Sequence, residues 1–130
     1  MSRENVEIVR RAIDCFGETG EIPVECYDPG VEFTTRSDGP GQTTYHGIDG
    51  LRQSVESFQE AWASTRFEAQ EFIEVEEAVI VSVLFHLRAQ SGVELDVEEA
   101  WAYWVRDGKI TRIEQHGTKP EALQSAGLSE

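Results

Sequence analysis

Two stretches, Ala78-Val79-Ile80-Val81-Ser82-Val83-Leu84-Phe85-His86-Leu87-Arg88-Ala89-Gln90 and Val93-Glu94-Leu95-Asp96-Val97-Glu98-Glu99-Ala100-Trp101-Ala102-Tyr103-Trp104-Val105-Arg106, decide the fold. Both are rich in β-branched and aromatic residues, and only Ser91-Gly92 lies between them. Residues that alternate along a strand point to opposite faces, so the second stretch sends Val93, Leu95, Val97, Glu99, Trp101, Tyr103 and Val105 to one side. Strand-like runs flank the pair at 65–75 and 109–116, joined through Glu76-Glu77 and Asp107-Gly108. Connections this short join antiparallel neighbours, so four strands form a meander.

The register of the central hairpin decides which polar groups face inward. A two-residue loop, Ser91-Gly92, puts Ser82, His86 and Arg88 on the face of Trp101. A three-residue loop, Gln90-Ser91-Gly92, puts Val79, Val81, Val83, Phe85 and Leu87 there, with Leu95 and Val97. Burying two apolar faces together is the stronger demand and leaves His86 outside, near Asp96 or Glu98.

The chain before the meander reads as helical. Leu51, Val55, Phe58 and Trp62 form one stripe of a long helix over Ile48–Ala63. Val6, Val9, Ile13 and Phe16 repeat at helical spacing after Ser2, an N-cap candidate, and the pattern stops at Gly17 and Gly20. A short helix opened by Pro23 carries Val24 and Tyr27 and is closed by Asp28-Pro29-Gly30. Residues 31–35 form a short strand, and Arg36-Ser37-Asp38-Gly39-Pro40-Gly41 is a loop able to form a rim. Thr118 and Glu121 make a capping box for a last short helix ending at Gly127. No repeat or linker interrupts residues 1–130, which predicts a single α+β domain with a cone-shaped, curved antiparallel sheet packed on one long and two or three short helices.

Composition narrows the function classes. With 25 acidic and 11 basic residues among 130, the net charge is −14. That field repels phosphate backbones and anionic lipid, so no nucleic acid and no membrane partner is expected, and neutral or cationic ligands are favoured. The longest apolar runs are far shorter than the ~20 residues of a membrane span. Met1-Ser2-Arg3-Glu4-Asn5 has no secretory pattern, which makes the cytoplasm the expected compartment. Cys15 and Cys26 are expected as reduced core residues, and no metal-ligand spacing or Cys/His nucleophile pattern is present.

The order of elements resembles the nuclear transport factor 2-like superfamily, in particular its SnoaL-like branch, over almost the whole chain. The resemblance is carried by Val6 to Phe16 with Gly17-Glu18-Thr19-Gly20, by Tyr27-Asp28-Pro29-Gly30-Val31-Glu32-Phe33, by Tyr45-His46-Gly47-Ile48-Asp49-Gly50-Leu51 and by Trp104-Val105-Arg106-Asp107-Gly108-Lys109-Ile110. It implies a pocket for a small molecule and a homodimer through the outer sheet face at Ala100, Ala102 and Trp104. Ketosteroid isomerases of this fold pair a carboxylate base with a tyrosine and a protonated aspartate. The matching positions here are Phe33 or Thr34, Ala12 and Trp101, so all three groups are absent. Cyclases and epoxide hydrolases of the superfamily place an acid on the last strand, where this chain has Glu114-Gln115-His116; either Glu114 takes that role or the chemistry is missing. The resemblance requires no cofactor and no metal.

The remaining candidates come from the residues themselves. Glu99 sits within an otherwise apolar and aromatic face, where burial makes a carboxyl group usable as an acid or base; a bulge at Glu98-Glu99 would instead turn both outward. Phe33, Tyr45, Phe58, Trp62, Trp101 and Tyr103 are the aromatics placed to line a cavity, or simply to pack a core. Tyr45, Tyr103 or Gln115 can donate to a ligand carbonyl or epoxide, and Tyr45, His46, Arg36 and Asp38 belong to the rim. The expectation is a pocket protein for a small, apolar, neutral substrate, with Glu99 or Glu114 as base. The alternative is a non-catalytic binding or dimerising module.

Overall fold

The computed structural model describes residues 2–35 and 43–127, with side chains from Glu4 onward. The rim positions Arg36 and Asp38 lie outside the described residues. Helix α1 (Ser2–Thr19) buries Val9, Ala12 and Ile13. It closes at Gly20, whose φ of +77° suits a residue without Cβ and whose amide donates to the Phe16 carbonyl at 2.8 Å.

A single 3-10 turn, Val24–Cys26, stands where a second helix was expected, and Tyr27 opens β1 (Tyr27–Thr34) instead of ending a helix. The Asp28-Pro29-Gly30 segment is an irregularity inside that strand. Asp28 Oδ2 accepts the Gly30 amide at 2.8 Å, and the pairing with β6 shifts between Tyr27 and Glu32. A side chain that satisfies a nearby amide can bend a strand without ending it.

Strand β2 (Thr44–His46) is too short to announce itself in sequence, and it pairs Phe33 with Tyr45. Helix α2 follows directly (Gly47–Ala61) and ends one residue before Trp62, the last position of the predicted stripe. Trp62 has extended backbone (φ −128°, ψ 148°), and the Ala63 amide donates to the Arg88 carbonyl at 2.8 Å, drawing the chain into the sheet.

Strands β3 (Ser64–Val75), β4 (Ala78–Arg88), β5 (Glu94–Arg106) and β6 (Lys109–His116) form the meander. The sheet order is β2-β1-β6-β5-β4-β3, with β1 parallel to β6, so the sheet is mixed where an antiparallel one was expected. Asp107 and Gly108 take positive φ (52° and 77°) in their two-residue turn, the backbone that matches strand twist in tight hairpins.

The central hairpin has the three-residue loop. The Ala89 amide donates to the Val93 carbonyl at 2.8 Å, and Phe85 faces Val97, His86 faces Asp96 and Leu87 faces Leu95. The β4–β5 ladder runs without a shift from Ala78↔Trp104 to Arg88↔Glu94, so Glu98 and Glu99 form no bulge. His86 lies on the outer face, with Nδ1 2.9 Å from Asp96 Oδ1 and Nε2 3.6 Å from Glu68 Oε2.

Two apolar layers result. The larger joins α1, α2 and the inner sheet face. The smaller, on the outer face, is Ile80, Ala100, Ala102 and Ala122, where α3 (Lys119–Ser125) lies on the sheet. Thr118 caps α3, its hydroxyl accepting the Glu121 amide at 3.4 Å. Ala100 and Ala102 are 2% and 0% exposed, so the patch expected to receive a second copy is covered by the chain's own last helix. Trp104 stays half-buried, with the Arg112 guanidinium 4.6 Å from its ring centre.

Candidate active site

Between α1, α2 and the inner sheet face lies a cavity of about 600 Å³. Helix α2 buries only Leu51 and Ser54 fully, the Ser54 hydroxyl donating to the Leu51 carbonyl at 2.7 Å. Val55 and Phe58 are half-buried because they border the hollow. Across from them stands a wall of rings. Trp101 touches Phe33 (5.5 Å between centroids), Phe85 (5.9 Å), Phe67 (6.4 Å) and Tyr103 (6.4 Å), and Phe58 meets Phe85 at 5.5 Å. Tilted and offset rings at these spacings attract one another beyond their area burial, so the wall is self-supporting.

Of the expected lining residues, Phe33, Tyr45, Phe58, Trp101, Tyr103 and Gln115 do border the cavity. Trp62 does not. Its extended backbone takes it off the helical stripe, and it packs against the core beyond the end of α2. Sequence reasoning missed Phe16, Phe67, Phe85, Ser54 and Tyr27. Phe67 and Phe85 were legible from strand alternation once the register was chosen; Tyr27 was hidden by its assignment to a helix.

The two candidate carboxylates part company. Glu99 keeps inner-face parity beside Trp101 without bordering the cavity, and its Oε1 accepts the Trp101 indole N–H at 2.9 Å and a Gln115 amide N–H at 2.8 Å. An acceptor-only carboxylate thus sets the orientation of both side chains, and one Gln115 N–H is committed to it. Glu114 points to the outer face and is corrected as a cavity base. It binds Arg112 and the Ser125 hydroxyl, and His116 Nε2 lies 3.0 Å from its Oε1. Partial burial pushes its pKa up, but the Ser125 and His116 hydrogen bonds and the Arg112 charge outweigh this and hold it below the ordinary glutamate value. Glu114 therefore fastens α3 to β6.

Burial keeps the phenols neutral. Tyr27 and Tyr103 are 9% and 4% exposed, and desolvation raises both well above the usual tyrosine value, with Tyr27 adding to the shift at Tyr103. Among the described lining residues there is no Asp, Glu, His, Cys or Lys. Arg66 is the one charged group there, and its Nη1 lies 3.4 Å from Glu68 Oε2.

The model of the SnoaL-like domain matches residues 9–113. The chain belongs to the SnoaL-like family. Solved structures that share this SnoaL-like fold include TerC co-crystallised with polyporic acid, 20% identical over 96% of this chain and 99% of its own, with a TM-score of 0.76. An NTF2-like protein of unknown function from Burkholderia pseudomallei K96243 is 21% identical over 96% and 98% of the two chains (TM-score 0.77). Bal32a, from a soil-derived mobile gene cassette, is 15% identical over 95% and 96% (TM-score 0.79). No curated protein sequence matches. Of the positions that the sequence matched to isomerase groups, Ala12, Phe33 and Trp101 border the cavity and present a methyl, a phenyl and an indole, whereas Thr34, the alternative to Phe33, does not border it. No helix among the described residues is long and apolar enough to cross a membrane.

Proposed function

We propose that this SnoaL-like domain encloses a small, uncharged, ring-bearing molecule. The observation that carries the reading is the cavity itself. Its volume lies within the roughly 300–1,000 Å³ typical of ligand sites. Its wall is built from stacked rings, and the described lining holds neutral hydrogen-bonding groups with a single cation. Apolar rings gain most from such a surface, whereas a carboxylate or phosphate also meets a chain of net charge −14. Co-crystallisation of TerC with polyporic acid supports an organic guest in a scaffold of this shape.

Trp101 reports occupancy directly. In a Trp62→Phe/Trp104→Phe background, titration with fluorene or naphthalene is expected to quench its emission and saturate at one molecule per chain. An emission unchanged by every compound of that size would reject the pocket reading.

A second reading, acid/base turnover, rests on Glu99. Among the described residues it is the inner-face carboxylate nearest the wall, and a shift of Trp101 or Gln115 would bring a ligand against it. The check is solvent-deuterium uptake next to the carbonyl of a bound cyclic ketone. Glu99→Gln is expected to abolish it, since an amide cannot take up the proton; no uptake by the unaltered protein sinks this reading and leaves pure binding.

A further inference from the structure

The tyrosine side of the cavity carries more chemistry than an aromatic box needs. Tyr27 on β1 and Tyr103 on β5 flank β6, Tyr27 opposite Ile110 and Tyr103 opposite Ile113, and both border the cavity. Neither phenol oxygen hydrogen-bonds to any described residue. Nor is either one sealed in the core. The side-chain polar atoms that are fully buried without a hydrogen bond among the described residues are Glu74 Oε2 and His86 Nε2; neither phenol oxygen is one of them, and both tyrosines border the cavity. A hydroxyl that faces the cavity loses its access to water when a guest fills the hollow, at a cost of about 1–3 kcal/mol unless the guest supplies an acceptor. Two of them on one cavity wall call for a guest atom that serves both.

We infer that Tyr27 and Tyr103 form a two-donor site for the carbonyl oxygen of a ring ketone or quinone lodged in the cavity. A carbonyl oxygen has two lone pairs and no proton, so it accepts from both phenols at once. A carboxylate offers the same lone pairs but brings a charge, and the described cation of the lining, Arg66, is already beside Glu68. Because the phenols stay protonated through the neutral range, both remain donors at any pH where the domain works. Glu99, held by Trp101 and Gln115, does not border the cavity and is not part of this site. The inference rests on the pocket reading above and names the polar group it selects.

The test compares 9-fluorenone with fluorene, which share a ring system and differ by the carbonyl oxygen. Binding is read from Trp101 emission and from the carbonyl stretch of bound fluorenone in the infrared. Fluorenone is expected to bind about tenfold more tightly than fluorene, the equivalent of one to two net hydrogen bonds. Its carbonyl stretch is expected to move to lower wavenumber on binding. Tyr27→Phe and Tyr103→Phe should each reduce the preference several-fold and part of the shift, and the double variant should remove both while binding fluorene at least as tightly as the unaltered protein, with an unchanged circular dichroism spectrum showing that it is folded. Equal affinity for the two compounds, or a shift that survives in the double variant, overturns the inference alone. Binding of neither compound overturns the pocket reading and the inference with it.

Discussion

The two faces of β5 and β6 are built from alternate residues of the same strands and are filled in opposite ways. On the outer face, Ala100 and Ala102 are small enough for α3 to lie directly against the sheet, and Ile80 and Ala122 complete a buried layer. On the inner face, Trp101 and Tyr103 are large; the Trp101 ring stacks on Tyr103 and braces Phe33, Phe67 and Phe85, and Phe85 in turn meets Phe58 of α2 across the hollow. Small side chains bring a helix down onto a sheet; a buttressed set of rings holds one off. The carboxylates follow the same division. Glu114 is spent on fastening a helix, and Glu99 on orienting the cavity wall.

The harshest way to break this comparison is to charge the solid side. Ala102→Glu, at a position with no exposure, is expected to destabilise the fold by at least about 3 kcal/mol, measured by urea unfolding, because the new carboxylate is buried without a partner. An equal loss from a charge placed at the cavity-facing Val55 would show that the two faces do not differ. Truncating a ring beside the hollow is milder. Phe58→Ala should cost about 1–2 kcal/mol, below the 3–5 typical of a fully packed Phe, since one side of the ring already meets open space.

Glu114→Gln sharpens the contrast through pH. The folded-state pKa of Glu114 is lowered, so its contribution is complete above the unfolded value near about 4.3 and disappears as pH falls through the lower folded value. The variant should lose about 1–2 kcal/mol at neutral pH. Its unfolding midpoint should also fall less between neutral and acidic pH than that of the unaltered protein. The smallest effect belongs to Tyr103→Phe. Deleting a hydroxyl that faces the cavity and has no hydrogen-bond partner among the described residues should change stability by less than about 0.5 kcal/mol, whereas a loss above about 1 kcal/mol would reveal an internal hydrogen bond and remove the donor proposed for the ligand.

The meander, its register and the inward parity of Glu99 were legible because alternation is a strict code: once Val79 to Leu87 must share a face with Leu95 and Val97, Trp101 and Tyr103 follow. The tight turn at Asp107-Gly108 and the capping of α3 were legible for a similar local reason. What failed depended on distant partners. Nothing near Trp62 announces that the Ala63 amide will reach the Arg88 carbonyl and end the helix early. Nothing in Ala100 and Ala102 distinguishes a surface awaiting another molecule from one reserved for Ala122. The fate of Glu114 was hidden likewise, since Ser125 sits beyond a change of element. Tyr27 was lost because Pro and Gly beside it read as the end of a helix when they mark an irregularity within a strand.

The three-residue connection Gln90-Ser91-Gly92 has an evolutionary consequence. Surface loops usually tolerate change freely, but the point at which this one closes sets which side chains look inward. Closing the hairpin on Ser91-Gly92 alone would bring His86 and Arg88 round to join the tryptophan and leave Phe85 and Leu87 in water. Descendants of this chain can vary what that loop contains only so far as Ala89 stays paired with Val93.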